Sequence, residues 1–202
     1  MNDPQRAGTA VIGNQAEHSR PDTRARIQQV AVELFTEHGY DGTSLREIAE
    51  RLEVTKAALY YHFKSKEDIV ASLMEDYAKQ MDALIAWGRE QPRGPQARQE
   101  LLSRYVDIVA ESGQVFRMLH QNQASVSTLS AAKKRGELFK ERIGSLIELL
   151  SEPDASLEAR VKGAMVIGGI SASWMFFSGR TDKRELSEAV RNIAAGIAEM
   201  PA

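Results

Sequence analysis

Residues 44–69 read SLREIAERLEVTKAALYYHFKSKEDI, and this stretch decides the fold. Its first four residues have the spacing of a capping box, in which Ser44 and Glu47 satisfy each other's free backbone amides at the start of a helix. The apolar pattern predicts that this short helix runs to about Leu52. Residues 53–54 then leave room only for a tight turn.

A second short helix follows this turn. Thr55 is a good N-cap residue, and the helix is predicted to end near Phe63. Leu59 lies four positions before Phe63, so both side chains are predicted to point inward. The outer surface is left to Lys56, Ala57, Tyr60 and Tyr61. Two short helices joined by a turn of about three residues predict a helix-turn-helix motif.

Longer helices are predicted on both sides of this motif. The preceding helix begins at Asp22 and ends at Gly39. Its apolar face carries Ile27, Val30, Ala31, Leu34 and Phe35. The following helix begins at a second capping signal, Ser65 with Asp68, and is predicted to stop near Trp87. Its apolar face carries Ile69, Leu73, Tyr77, Met81, Leu84 and Ile85.

The remainder of the chain continues the helical pattern after a loop at residues 92–95. Four or five further amphipathic stretches are predicted, at about 96–112, 114–122, 132–151, 156–178 and 183–200. Because no strand pattern competes, the predicted class is all-α. We expect a disordered arm over 1–20, a DNA-binding domain over 21–67 and a helical regulatory and dimerisation domain over 68–202.

The amino-acid composition excludes several classes of protein. The 202 residues include 43% hydrophobic and 27% charged residues, which is ordinary for a packed globular chain. The absence of cysteine excludes disulfides, zinc-thiolate sites and thiol nucleophiles. The N-terminal residues lack the pattern of a signal peptide, and the longest apolar stretch, residues 163–177, is shorter than the roughly 18 residues of a membrane span. We therefore expect a cytoplasmic protein without a membrane segment.

Charge gives little support to nucleic-acid binding by itself. The net charge is −2, and residues 22–66 contain seven basic and seven acidic side chains. A DNA site must therefore be a local cluster. Small side chains at Ala57 and Ala58 would let the second short helix approach base edges closely. The spacing fits equally well a helix that is merely packed, with His62 in a structural role.

A resemblance decides between these interpretations. Residues 59–69, LYYHFKSKEDI, are highly specific, and the stretch from Thr23 to Ile69 closely resembles the DNA-binding head of the tetracycline-repressor (TetR) family. It covers about a quarter of the chain. Further positions that carry the resemblance are Ala31, Leu34, Phe35, Gly39, Thr43, Ile48, Ala49 and Val54. The body matches the family only in its length and helical layout.

The resemblance implies roles for individual residues in DNA binding. The helix from Thr55 to Phe63 would be the recognition helix in the major groove. Lys56 and Ala57 would face the bases, as would Arg46 on the preceding helix. Phosphate contacts would come from Ser44, Tyr60, Tyr61, His62 and Lys66, and Thr55 at the start of the recognition helix is also expected to contact DNA. The sequence departs from the family at Glu53, where the turn often has glycine.

The resemblance also implies a dimer and an effector site in the body. The last two helices would form a four-helix bundle with a second copy, although residues 163–170 also fit a core helix within one chain. An apolar or aromatic effector would bind in the middle of the body. The candidate contacts are Met74, Tyr77, Met81, Trp87, Tyr105, Phe116, Met118, His120, Trp174 and Phe177.

The function expected from these features is ligand-responsive regulation of transcription, most commonly repression at a palindromic operator. Catalysis is not expected, because the four histidines show no paired metal-ligand spacing and no GxSxG or Gly-rich phosphate loop occurs. No cofactor and no metal are expected. A helical interaction module that binds no DNA is the remaining alternative.

Overall fold

The computed structural model describes residues 23–127 and 132–199, which contain α-helices and no strand. The helices are α1 (Thr23–Glu37), α2 (Leu45–Arg51), α3 (Lys56–His62), α4 (Lys66–Glu90), α5 (Pro95–Gln121), α6 (Gln123–Ser127), α7 (Ala132–Leu150), α8 (Leu157–Phe177) and α9 (Lys183–Glu199). The all-α prediction is confirmed. The arm expected over residues 1–20 lies outside the described residues. Within those residues, no helix combines the length and apolar character needed to cross a bilayer.

The helix starts of the N-terminal part are fixed by local hydrogen bonds. Ser44 and Glu47 form both halves of the predicted capping box before α2. The Thr55 hydroxyl accepts from the backbone amide of Ala58 at 3.2 Å, which caps α3. Ser65 caps α4 together with Asp68. Each cap satisfies amides that a helix start leaves without a partner, so these boundaries depend on sequence neighbours alone.

The turn between α2 and α3 places Glu53 at a φ of 55°. This left-handed conformation costs a residue with a β-carbon roughly 1 kcal/mol relative to glycine. The departure from the family pattern is therefore a local strain that the surrounding helices tolerate. The amide of Val54 still reaches the carbonyl of Ala49 at 3.0 Å, so the turn is closed.

The N-terminal core, which we call the head core, lies between α1, α2, α3 and the start of α4. Leu59 and Phe63 are buried in it, as predicted from their spacing. Its other buried members include Ile27, Ala31, Leu34, Phe35, Ile48 and Ile69. One member comes from far along the chain: Met118 of α5 is fully buried in the head core.

The body is built around α5, which is longer than predicted. The expected separation into helices at 96–112 and 114–122 is wrong, because one helix runs from Pro95 to Gln121. Gly113 does not break it. A β-carbon at Gly113 would lie 3.0 Å from Cε3 of Trp174, so this glycine lets α8 approach α5 closely. Gly113 is therefore a site of close helix packing and not the end of a helix.

Both α4 and α5 belong to two cores. The first turn of α4 enters the head core, whereas Tyr77 and Met81 further along it are buried in the body core with Tyr105 of α5. The boundary expected after residue 67 falls within the first turn of α4. Each of these two helices is continuous between the cores, so both connect the head to the body directly.

Candidate nucleic-acid interface

The outward surface of α3 is formed by the residues that the sequence predicted. Tyr60 is 46% exposed and Tyr61 81% exposed, while Leu59 beside them is fully buried. Lys56 and Ala57 are exposed as well. The helix is thus anchored by one face and presents a cation, a methyl group and two phenols on the other. This combination suits base edges and phosphate oxygens.

Arg46 of α2 is exposed and forms an ion pair with Glu50 at 2.6 Å. The hydrogen bond that Arg46 donates to the Glu50 carboxylate raises the pKa of the guanidinium further above its ordinary value, so the group stays charged. Exposed pairs of this kind contribute little stability. The guanidinium can therefore exchange its carboxylate for a guanine edge or a phosphate at small cost.

The other predicted contacts already have roles within the chain. The hydroxyl of Ser44 is part of the α2 capping box, and that of Thr55 caps α3. The ring of His62 lies edge-on to Tyr61 with centroids 5.2 Å apart. These side chains stand at helix starts or beside the exposed phenols, at the rim of the α3 surface.

Lys66 differs most from its expected position. Its ammonium group donates to the backbone carbonyl of Tyr40 and lies 4.5 Å from the centroid of the Tyr40 ring. Burial raises the pKa of the Tyr40 hydroxyl, so this ring is neutral at ordinary pH. The cation at the start of α4 is thus held by an acceptor of the chain itself. The sequence contained no signal for this link.

The helix-turn-helix segment of this chain is similar in sequence to known regulatory proteins. Residues 27–73 match the family model for bacterial regulatory proteins of the tetR family. The HTH-type transcriptional regulator AcrR of Shigella flexneri is 44% identical over 54 residues, which is 27% of this chain and 25% of that protein. Residues 27–73 therefore have the sequence of a TetR-family DNA-binding segment. The match to AcrR spans a quarter of that regulator's length.

Two comparisons extend beyond this segment, over the body of the chain. The HTH-type transcriptional activator FasR of Mycolicibacterium smegmatis is 23% identical over 193 residues, covering 90% of this chain and 86% of that protein. The structure of the regulator FadR from Bacillus subtilis, in complex with stearoyl-CoA, has a TM-score of 0.58 at 22% identity and covers 85% of this chain and 97% of that chain. The shared fold therefore includes the body.

The residues predicted to contact an effector do not all line one site in the structure. Met74 and Tyr77 line one pocket of about 230 Å³ between α4 and α7. Phe116 packs edge-on against Tyr77, with centroids 4.8 Å apart. The body core contains Met81, Trp87, Tyr105 and Trp174, with Trp87 partly buried. Met118 belongs to the head core, and His120 and Phe177 are exposed.

The pocket has further walls that sequence reasoning missed. Leu138, Phe139 and Arg142 of α7 close it, and Phe139 stacks on Tyr77 at 6.1 Å. Arg142 binds Asp82 through two hydrogen bonds of 2.7 Å, which lower the pKa of that carboxyl. The lining is therefore mostly apolar, with one acidic side chain, Glu75, and one basic side chain, Arg142, a chemistry that suits a small apolar or aromatic molecule.

A second exposed surface runs along the body on α8 and α9. Large apolar side chains there are open to solvent: Leu157, Val161, Met165, Phe176, Phe177 and Ile193. Gly168, Gly169 and Gly196 have nothing within 4 Å of the position of a β-carbon. The opposite face of α8 is buried through Val166, Ile167 and Ile170. The helix is thus apolar on two sides, and among residues 23–127 and 132–199 only one of these sides is covered.

Proposed function

We propose that this chain is a homodimeric repressor of transcription that binds a palindromic operator and is released by a small apolar or aromatic effector. The observation that carries the proposal is the surface of α3, where Lys56, Ala57, Tyr60 and Tyr61 are exposed above a buried anchor. The exposed ammonium group and the two exposed phenols lie on one short helix, where together they supply hydrogen-bond donors for phosphates and base edges.

In the proposed complex, α3 lies in the major groove. Lys56 and Arg46 reach guanine O6 and N7, and Ala57 allows the close approach that such contacts need. Ser44, Thr55, Tyr60, Tyr61, His62 and Lys66 hold phosphates and fix the register. The balanced charge of the head means that these few contacts, rather than a broad positive field, supply the affinity.

The exposed apolar face of α8 and α9 supports the dimer. A helix-turn-helix dimer reads two half-sites about 34–36 Å apart, which requires a two-fold axis between the two heads. A face that carries Met165, Phe176 and Ile193 would be covered by the same face of a second copy. The open glycines along it permit close helix contact. The operator is then an inverted repeat.

The pocket between α4 and α7 supports the effector. The regulator FadR, which shares the fold, was crystallised with stearoyl-CoA, so acyl thioesters belong in the panel of test compounds beside simple aromatic acids. An effector seated against Met74 and Tyr77 would press on α4, which enters both cores. Binding would favour a dimer whose recognition helices are wrongly spaced for successive grooves.

The DNA-binding part is tested by selecting duplexes from a random pool with the full chain and measuring affinity against salt. We expect an inverted repeat, and a log–log slope that falls by about one in Lys56→Ala if Lys56 neutralises a phosphate. If Lys56 contacts a base instead, Lys56→Ala should lose the preference for that base at one position of the selected duplex. Lys140→Ala, an exposed lysine on α7, is the matched control. A chain that selects no duplex is an interaction module, and the proposal is then wrong.

The effector part is tested by thermal shift with the panel, followed by a gel shift on the selected duplex. We expect one class of compound to raise the melting temperature and to lower DNA affinity. Ala78→Phe should abolish both effects because Ala78 lines the pocket. Ala83→Phe, on the exposed side of α4, should retain them. A stabilising compound that leaves DNA affinity unchanged contradicts the switch.

The sign of regulation needs its own measurement, because FasR, which aligns over most of the chain, is an activator. A reporter gene placed behind the selected operator should be more active in cells that lack this chain. Lower activity in those cells would make the protein an activator and would leave the DNA-binding part of the proposal intact.

A further inference from the structure

The end of α5 is built into the DNA-binding head. Met118 is fully buried in the head core, and the partly buried side chains of Val115, Leu119 and Val126 pack against the same core. Ser125 of α6 donates to the carboxylate of Asp41 at 2.5 Å. The head is thus closed from the body side by residues that lie about eighty positions away in the chain.

Asn122, the C-cap residue of α5, uses both ends of its amide at this junction. Its Oδ1 accepts from the backbone amide of Tyr40 at 2.7 Å. Its Nδ2 donates to the carbonyl of Phe35 at 3.1 Å and to that of Met118 at 2.9 Å. Phe35 lies in the last turn of α1, where carbonyls have no partner within the helix. One side chain therefore caps α1 and fixes the turn that follows it.

The same turn leads directly to the DNA-facing surface. The carbonyl of Tyr40 accepts from the ammonium of Lys66, which also lies over the Tyr40 ring. Asn122 and Lys66 thus bind opposite ends of one residue, the first through its N–H and the second through its C=O. Lys66 begins α4, immediately after the recognition helix.

We infer that Asn122 is a positioning residue for DNA binding, which sets the place of Lys66 through Tyr40. The inference rests on the proposed DNA-binding function and deepens it. A displacement of the end of α5 reaches the phosphate-binding side of the head by this path, in addition to the path along α4. The hydroxyl of Ser125 lies at the same junction and donates to Asp41 and not to Tyr40, so its removal is a control for a general disturbance of the junction.

The test is a double-mutant cycle on the affinity of the full chain for the duplex that the wild type selects. We expect Asn122→Ala to lower affinity about tenfold, the size of one hydrogen-bonded contact. In a Lys66→Ala background the same change should cost less than about twofold, because the link is already broken. Ser125→Ala should bind as the wild type does. Far-UV circular dichroism verifies that each variant is folded.

A second variant separates positioning from simple loss of structure. Asn122→Asp retains the acceptor for the Tyr40 amide but cannot donate to the carbonyls of Phe35 and Met118. We expect its melting temperature to fall and its affinity for the duplex, measured where it is folded, to stay closer to the wild type than that of Asn122→Ala. Should Asn122→Ala fail to fold, Asn122→Ser takes its place in the cycle, because its shorter side chain cannot bridge Tyr40 and Phe35.

Two results would overturn the inference while the proposed function stands. One is a folded Asn122→Ala that binds the duplex with wild-type affinity. The other is an equal loss in the wild-type and Lys66→Ala backgrounds, which would show that Asn122 acts without Lys66. If the wild type selects no duplex at all, the proposed DNA-binding function fails and this inference falls with it.

Discussion

Shortening Met165 on the exposed face of α8 should weaken the dimer by a predictable amount. Burial of a whole methionine side chain contributes about 1.5–3 kcal/mol. Met165 is 71% exposed in the single chain, so most of that contribution is available for association. In a two-fold symmetric dimer each copy contributes its own Met165, so the substitution removes this contribution twice. Met165→Ala should therefore cost about 2–4 kcal/mol, or roughly 30- to 700-fold in the dissociation constant of the dimer.

The measurement is sedimentation velocity over a dilution series, with thermal melting as a check on the fold. The fold of each subunit should survive, because α8 is anchored by Val166, Ile167 and Ile170 on its other face. Leu138→Ala, an exposed leucine on α7, should dimerise as the wild type does. A dimer of Met165→Ala whose dissociation constant lies within about threefold of the wild type would refute the assignment of this face.

Three further changes test local features of the fold. Glu53→Gly should raise the melting temperature by about 2–4 °C, since it relieves roughly 1 kcal/mol of backbone strain, and a lower melting temperature would contradict this. Thr55→Ala should remove about 1 kcal/mol of helix capping and weaken DNA binding, whereas unchanged stability would mean that the cap is dispensable. Asp82→Asn should destabilise the chain at neutral pH. Because Arg142 lowers the pKa of Asp82 below its ordinary 3.8, that difference should be complete above this value and vanish as pH falls through the folded pKa. A difference that persists in strong acid would exclude the ion pair as its cause.

Local signals were enough to place the helix-turn-helix. The capping boxes at Ser44 and Ser65 act between residues three positions apart, and the side chains on the outside of α3 follow from helical periodicity around Leu59. The same period predicted the apolar character of α8. It could not say which of its apolar sides the chain itself covers, since an all-round apolar helix has no preferred face.

The sequence by itself determined the helices of the head, their caps and the surface that α3 presents, because each depends on neighbours within one or two helical turns. Only the tertiary structure decided that Gly113 lies inside a helix under Trp174, that Met118 belongs to the head, and that Asn122 and Lys66 meet at Tyr40. These contacts join residues far apart along the chain. No local spacing encodes them, because they form only where whole helices pack against one another.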